Sequence, residues 1–384
     1  MKKLLKVLLA LILLPLLLLV GLLAFFLATE HRPEPEEAVA VDCQGEAPGL
    51  KAGQEFTFLS WNLQYGASRK HRFFYDGGEA VHVPPEDVAW TVEAIQGVLA
   101  STRAQVVALQ EVDRDSTRTG RIDQLPPFVR AAGASCEAAT PYHRSPYVPT
   151  PSHQPLGRVD MQLATLVQGP MLHASRIALP LLAEARYRQV FNLKRALLVT
   201  EVPIEGWDKP LAIANTHLSA FSFGDGTHEQ QVAVLKQWIE SRPPDQPWIL
   251  AGDMNLLPPG FDKASLAVES DLYADEKNPI ELLLPAQTEV LGDQLAPENR
   301  TYLPFGQAVP DRKIDYVFIG GPIQVRSARV MSEHAEISDH LPILATLVIG
   351  APAAPVEAAP VEPPPPQAKD LAEKIERFTR DGAR

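Results

Sequence analysis

Six short apolar runs between residues 53 and 350 each begin or end on a carboxylate, an amide or an imidazole. No other feature narrows the possible folds as far. Phe56, Phe58 and Leu59 lead into Trp61-Asn62, and Val106-Val107-Ala108-Leu109 delivers Gln110-Glu111. Leu211 to Ala214 ends in Asn215-Thr216-His217, and Trp248 to Ala251 runs into Gly252-Asp253-Met254-Asn255. Lys313 to Ile319 carries Asp315, and Asp339-His340 precedes the run from Pro342 to Ile349. Runs of this length read as β-strands, as does Arg195 to Val202, whereas Glu86 to Ala100 and His228 to Glu240 place apolar residues at helical spacing. Strands interleaved with helices, with polar groups gathered at strand ends, describe a rigid scaffold that presents chemistry at one edge. Residues 53–350 are therefore expected to form one catalytic domain.

The flanks differ in kind. Lys2, Lys3 and Lys6 precede a run from Val7 to Ala28 without a charge. At about 1.5 Å per residue such a run spans roughly the ~30 Å hydrocarbon core of a bilayer. Residues 1–28 are expected to be a signal-anchor helix, and the lysines put everything after Ala28 on the extracytoplasmic side. A cleaved signal peptide is the competing reading, although its apolar region usually runs only about 7–15 residues. Residues 29–52 are acidic and proline-dotted and read as a tether. Residues 351–368, mostly Ala, Pro, Val and Glu, read as an extended linker. In residues 369–384, Leu371, Ala372, Ile375 and Phe378 share one face of a short amphipathic helix. Cys43 and Cys136 have no metal-type spacing, and both a disulfide and two free thiols remain open.

Carboxylates and amide oxygens suit a hard divalent cation such as Mg²⁺, and histidines move protons near neutral pH. The chain holds no GxSxG elbow, no cysteine beside a histidine and no GxxxxGK phosphate loop. His228-Glu229-Gln230-Gln231-Val232 lacks the second histidine of a zinc helix. Metal-assisted hydrolysis is the chemistry left standing.

Ser60-Trp61-Asn62, Leu109-Gln110-Glu111, Thr216-His217-Leu218, Gly252-Asp253-Met254-Asn255, Lys313-Ile314-Asp315-Tyr316 and Ser338-Asp339-His340-Leu341-Pro342 together resemble, in order, the motifs of the endonuclease/exonuclease/phosphatase superfamily. The resemblance implies an α+β fold, a four-layer α/β/β/α sandwich of two packed mixed β-sheets like that of deoxyribonuclease I. It also implies hydrolysis of a phosphoester with Mg²⁺ or Mn²⁺. By the same resemblance Glu111, Asn62 and Asp339 form the metal shell, and Asp253 orients or deprotonates the attacking water. Asn255 holds a phosphoryl oxygen, His340 is the catalytic histidine oriented by Asp315, and His217 contacts the phosphate or assists the leaving group.

Histidine at position 217 is more similar to the deoxyribonuclease-I, sphingomyelinase and inositol-phosphatase branches than to the abasic-site endonucleases, which tend to carry asparagine there. A formal charge of −12 also disfavours a protein that grips duplex DNA. The expected partners are a membrane and a phosphoester substrate, a lipid or lipid-derived headgroup rather than nucleic acid, and no partner protein is indicated. An extracytoplasmic nuclease is the alternative, and a catalytically silent binding version of the fold is the second. Arg114, Arg118, Arg121 and Arg195 are candidates to meet an anionic group, with structural ion pairs as the other reading, whereas Arg312 is expected to pack or pair. Tyr142 to Pro151 reads as a substrate rim or a rigid loop, and Phe221 to Thr227 as a tight loop that could touch lipid.

Overall fold

The computed structural model describes residues 2–350, apart from 46, 223, 267, 274–277 and 285–286. The linker 351–368 and the tail helix 369–384 lie outside the described residues. The chain opens with α1 (Lys2–Thr29), whose segment Lys3–Thr29 is long and apolar enough to cross a membrane. Then come β1 (Glu36–Val39), β2 (Val41–Cys43), β3 (Leu50–Lys51), β4 (Glu55–Asn62), α2 (Pro85–Thr102), β5 (Val106–Asp113) and α3 (Leu125–Ala132). They are followed by β6 (Cys136–Val148), β7 (Gly157–Val167), β8 (His173–Ala178), α4 (Arg186–Gln189), β9 (Ala196–Val202), β10 (Ile204–Glu205) and β11 (Leu211–His217). The rest is α5 (Thr227–Glu240), β12 (Trp248–Asp253), β13 (Thr288–Glu289), β14 (Asp315–Gly320), β15 (Ile323–Val330) and β16 (Ile343–Ile349), with short 3₁₀ turns between.

Two seven-stranded mixed sheets result, β1-β8-β9-β11-β12-β14-β13 and β15-β16-β4-β5-β7-β6-β2. Each contains one parallel pair, β11 with β12 and β4 with β5, and each pair is bridged by a helix, α5 and α2. Parallel neighbours need such a crossover, which is why a helical period separates these strands in the sequence. α5 buries Val232, Leu235, Trp238 and Ile239 against Leu197, Ala212, Leu250 and Phe318 of the first sheet. α2 buries Val88, Val92, Ile95, Val98 and Leu99 in the main core. The architecture is the expected α/β/β/α sandwich.

Beneath the site the facing sheets are joined by amides. Gln110 Nε2 donates to Asn215 Oδ1 at 2.7 Å, and Asn215 Nδ2 donates to the carbonyls of Leu109 and Ala164. Asn215, buried with both its amide oxygen and its amide nitrogen engaged, thereby ties one sheet over the other.

The stretch 29–52, expected as a tether, is stitched into both sheets. β1 pairs antiparallel with β8, β2 with β6, and β3 runs parallel to β10. Cys43 and Cys136 face each other across the β2–β6 pair and form a disulfide. The Tyr142 to Pro151 stretch begins inside β6 rather than in a loop, and the register shift between Ser145 and Val148 absorbs Pro146.

Candidate active site

The topology explains why the motif residues converge. Asn62, Glu111, His217 and Asp253 lie at the C-terminal ends of the two parallel pairs, with Asn62 in register with Gln110 and His217 with Asp253. Asp315 opens β14 directly opposite Asp253, and the Asp339-His340 segment enters β16 beside Ser60 of β4. Glu111 sits on a bulge, where Gln110 and Glu111 together oppose Leu163, and its φ of 60° is left-handed. A bulge of this kind re-aims one side chain out of the strand's alternation. Gly252 (φ 140°) allows β11 to pass close, since a Cβ there would meet the Thr216 carbonyl oxygen at 1.9 Å.

Glu111, His217, Asp253, Asn255, Asp339 and His340 line one cleft of about 820 Å³, and Asn62 and Asp315 stand behind it. Asn62 Nδ2 donates to Asp253 Oδ2 at 2.9 Å, while Asp253 Oδ1 accepts the Asn255 amide at 3.0 Å. His340 Nδ1 lies 2.9 Å from Asp315 Oδ2, and its Nε2 lies 3.5 Å from Asp253 Oδ2. Burial pulls the His340 imidazolium down, but the carboxylates of Asp315 and Asp253 outweigh it and raise the group well above its usual range. His217 behaves oppositely: burial, with Arg195 and His340 nearby, holds it well below 6.5, so it is neutral. The Tyr142 hydroxyl lies 3.1 Å from His217 Nδ1, and His217 Nε2 lies 3.3 Å from Asp253 Oδ2.

Several participants carried no motif signal in the sequence. Thr301 Oγ1 accepts the amides of Ile314 and Asp315, and the Thr301 carbonyl accepts the Leu341 amide, tying Asp315 to the His340 segment. Tyr302 packs edge-on to His340 at 5.0 Å, and Asp76 and Glu269 also line the cleft. They sit in irregular connections whose pairing is purely tertiary. Of the arginines, Arg114 and Arg121 are engaged by Asp123 and Asp115 at the surface, and Arg312 by Asp311 and Glu269. Arg118 is buried against Asp113 and over the Tyr65 ring. Arg195 differs: it is buried in the cleft wall, forms no ion pair among the described residues, and donates to the His217 carbonyl at 3.3 Å.

Desolvation pushes the Glu111 carboxyl up to about 7 and raises Asp253 and Asp339 as well. Carboxylates crowded this way, buried at Asp253 and half-buried at Glu111 and Asp339, fit a divalent cation, which restores their charged forms. The Asp253, Asp315 and His340 cluster has donor atoms within 4.8 Å of one another, whereas the set expected from the resemblance is the oxygens of Glu111, Asp339 and Asn62. The cluster would require a neutral His340, whereas its two carboxylate neighbours hold it protonated. The oxygen set is the better match to a hard cation.

His143 braces the cleft wall. It is buried, its Nε2 donates to the Phe191 carbonyl at 2.9 Å, and burial lowers its pKa to about 3. An unfolded imidazole takes up its proton near 6.5, so this group's contribution is complete above pH 6.5 and is lost as pH falls towards 3. His143→Gln keeps a donor but cannot titrate. It is expected to flatten the dependence of unfolding free energy on pH between 6.5 and 4, by up to ~1.4 kcal/mol per pH unit. Denaturant melts across that range measure it, and unchanged slopes would contradict the assignment.

A two-sheet sandwich with a buried carboxylate–imidazole cleft that can hold a divalent cation defines a phosphoester hydrolase of the metal-dependent kind. Residues 59–340 match the model of the Endonuclease/Exonuclease/phosphatase family, and the chain belongs to that family. Among solved structures it is similar to an endonuclease/exonuclease/phosphatase from Beutenbergia cavernae (20% identity, TM-score 0.54, covering 78% of this chain and 73% of that one). It is also similar to a functionally unknown conserved protein from Enterococcus faecalis (14%, TM-score 0.50, 76% and 99%) and to a humanized D. rerio TDP2 with 14 mutations (15%, 0.49, 76% and 98%). No curated protein matches the chain significantly.

Proposed function

We propose that this chain hydrolyses a phosphoester of a lipid or lipid-derived headgroup at a membrane surface, with its catalytic domain on the extracytoplasmic side. The observation that carries the reading is the composition of the cleft: a carboxylate and imidazole floor beneath a wall formed by Val148, Leu156, Phe191, Leu193, Phe221 and Ile314. Such a wall suits the apolar remainder of a lipid, and the chain's formal charge of −12 disfavours a grip on nucleic acid. The membrane-length helix α1 and the lysines before its apolar run support the location.

In this mechanism Glu111, Asp339 and Asn62 would hold a cation, Mg²⁺ or Mn²⁺, which would supply Lewis-acid stabilisation of phosphoryl charge. Asp253, oriented by Asn62 and the Asn255 amide, positions the attacking water and accepts its proton. Asn255 and Arg195 hold phosphoryl oxygens, and the His340 imidazolium, fixed by Asp315, adds positive charge beside them. Neutral His217, bridged to Tyr142, stands ready to contact the phosphate or help the leaving group.

The test is product release by the full chain in detergent micelles with Mg²⁺, beside its Glu111→Gln variant. Substrates are phosphatidylglycerol, phosphatidylinositol, sphingomyelin, plasmid DNA and RNA. Metal-dependent cleavage of a lipid, lost in the variant and in EDTA, is expected. Cleavage of nucleic acid alone would replace the reading with a nuclease.

A further inference from the structure

The membrane-length helix does not end in a free joint. The Phe26 ring packs edge-on to Phe191, with centroids 4.8 Å apart. The Glu30 side chain is only 2% exposed, because Arg32, Arg186 and Lys194 converge on it. Arg186 clasps both carboxylate oxygens, Arg32 Nε lies at 2.7 Å and Lys194 Nζ at 3.3 Å. The Arg186 guanidinium, with Arg32 and Lys194 behind it, draws the Glu30 carboxyl down to about 2, so the cluster stays charged through the physiological range. Six residues beyond Glu30, β1 begins pairing with β8. The end of α1 is thereby fixed to the catalytic domain at three successive places.

At the first two places the domain-side partners, Phe191, Arg186 and Lys194, come from one segment, 181–194, which is also a wall of the active-site cleft. Tyr187, Arg188, Phe191 and Leu193 line that cleft, and His143 holds the Phe191 carbonyl from within. Outward, Tyr187 is 66% exposed and Leu181 37% exposed. The apolar run of α1 stops at Ala28, so the hydrocarbon boundary falls within a turn of Phe26 and Glu30. A segment clamped there lies at headgroup depth, the zone where Tyr and Arg side chains are favoured. Arg32 and Arg188 add exposed cationic side chains at this level, which can meet lipid phosphates.

We propose that Leu181–Phe191 is a membrane-seated lip of the active-site cleft, held at the bilayer surface by the clamp on Glu30. A phospholipid of the bilayer that hosts α1 then enters headgroup first past Tyr187 and Phe191. The proposal rests on the lipid reading above and adds to it the route and the part that fixes it. A docked lip presents the cleft to headgroups in one orientation, whereas a flexible tether would let it tumble.

The full chain is reconstituted in vesicles of three parts phosphatidylcholine to one part phosphatidylglycerol, and two things are measured. First, Tyr187→Cys supplies a unique thiol, since Cys43 and Cys136 are disulfide-bonded, and it takes an environment-sensitive fluorophore. Quenching by headgroup-labelled spin lipid with protection from aqueous iodide is expected. Free quenching by iodide, without quenching by the lipid, would overturn the proposal whatever the substrate. Second, twelve Gly/Ser residues are inserted between Ala28 and Thr29, which separates α1 from the lip and leaves the catalytic residues untouched. Turnover of vesicle lipid is expected to fall by about tenfold or more, with turnover of a water-soluble phosphodiester unchanged. Unchanged lipid turnover in the insertion variant would refute the clamp and leave the lipid reading standing. A parent protein that cleaves the soluble diester but no vesicle lipid would refute the lipid reading itself, and the route with it.

Discussion

Replacing His340 with alanine is expected to lower turnover by about a thousandfold to ten-thousandfold in a protein that still unfolds cooperatively. The main chain at this position is held independently of the imidazole: the Trp61 indole donates to the His340 carbonyl at 2.9 Å, and the His340 amide donates to Ser338 Oγ at 3.1 Å. What alanine removes is a positive charge lying between Asp315 and Asp253. His340→Gln separates charge from contact, because an amide can still meet Asp315 but carries no charge, and it is expected to be nearly as impaired. Asp315→Asn is the milder and more diagnostic change. Asp315 is the largest of the influences that raise His340, so losing its charge lets the imidazolium deprotonate at lower pH. The alkaline limb of the kcat profile should therefore move to lower pH. A near-normal rate in His340→Ala, or an alkaline limb that stays in place in Asp315→Asn, would mean that this imidazolium does not serve the reaction.

The strand ends were legible in the sequence because a buried parallel pair leaves a mark that survives without coordinates. Val106-Val107-Ala108-Leu109 and Trp248 to Ala251 are continuous apolar runs, which fits strands covered on both faces, and the polar phrases at their ends are where the covering stops. The antiparallel flank of the second sheet was not legible. β6 carries Pro141 and Pro146, which speak against a strand, and its two register shifts depend on its pairing with β7. Residues 29–52 misled for a related reason. Glu36–Val39 and Val41–Cys43 are too short for an alternating pattern to register, and they are strands only because β8 and β6 offer unpaired edges. Glu30 shows the same limit, since one acidic residue after an apolar helix reads as a polar flank until Arg186 and Lys194 arrive from more than 150 residues away. The site divides along this line too. Glu111, Asp253 and His340 stand in phrases at strand ends, while Tyr142, Thr301 and Tyr302 join them only through the packing of β6 and a connection.

Chelating divalent cations is expected to abolish turnover, and returning Mg²⁺ or Mn²⁺ near pH 7 is expected to release protons as it binds. The sign follows from burial. Desolvation raises Glu111 to about 7 and also raises Asp253 and Asp339, so without a cation part of this carboxylate group is protonated at neutral pH. A dication favours the ionised forms and expels those protons, on the order of one per cation bound at pH 7 and close to none at pH 9. Calorimetric titration in buffers of differing ionisation heat measures this number directly. Glu111→Gln removes both a donor oxygen and a titrating group, so affinity and proton release should fall together. The Asp253, Asp315 and His340 cluster makes a different demand: a cation there must displace a proton that both carboxylates hold on His340. Release would then persist at pH 9, and Glu111→Gln would bind as tightly as the parent. Full turnover in chelator would exclude the metal altogether, whereas release confined to the neutral range and lost with Glu111 would place the cation on the oxygen side of the cleft.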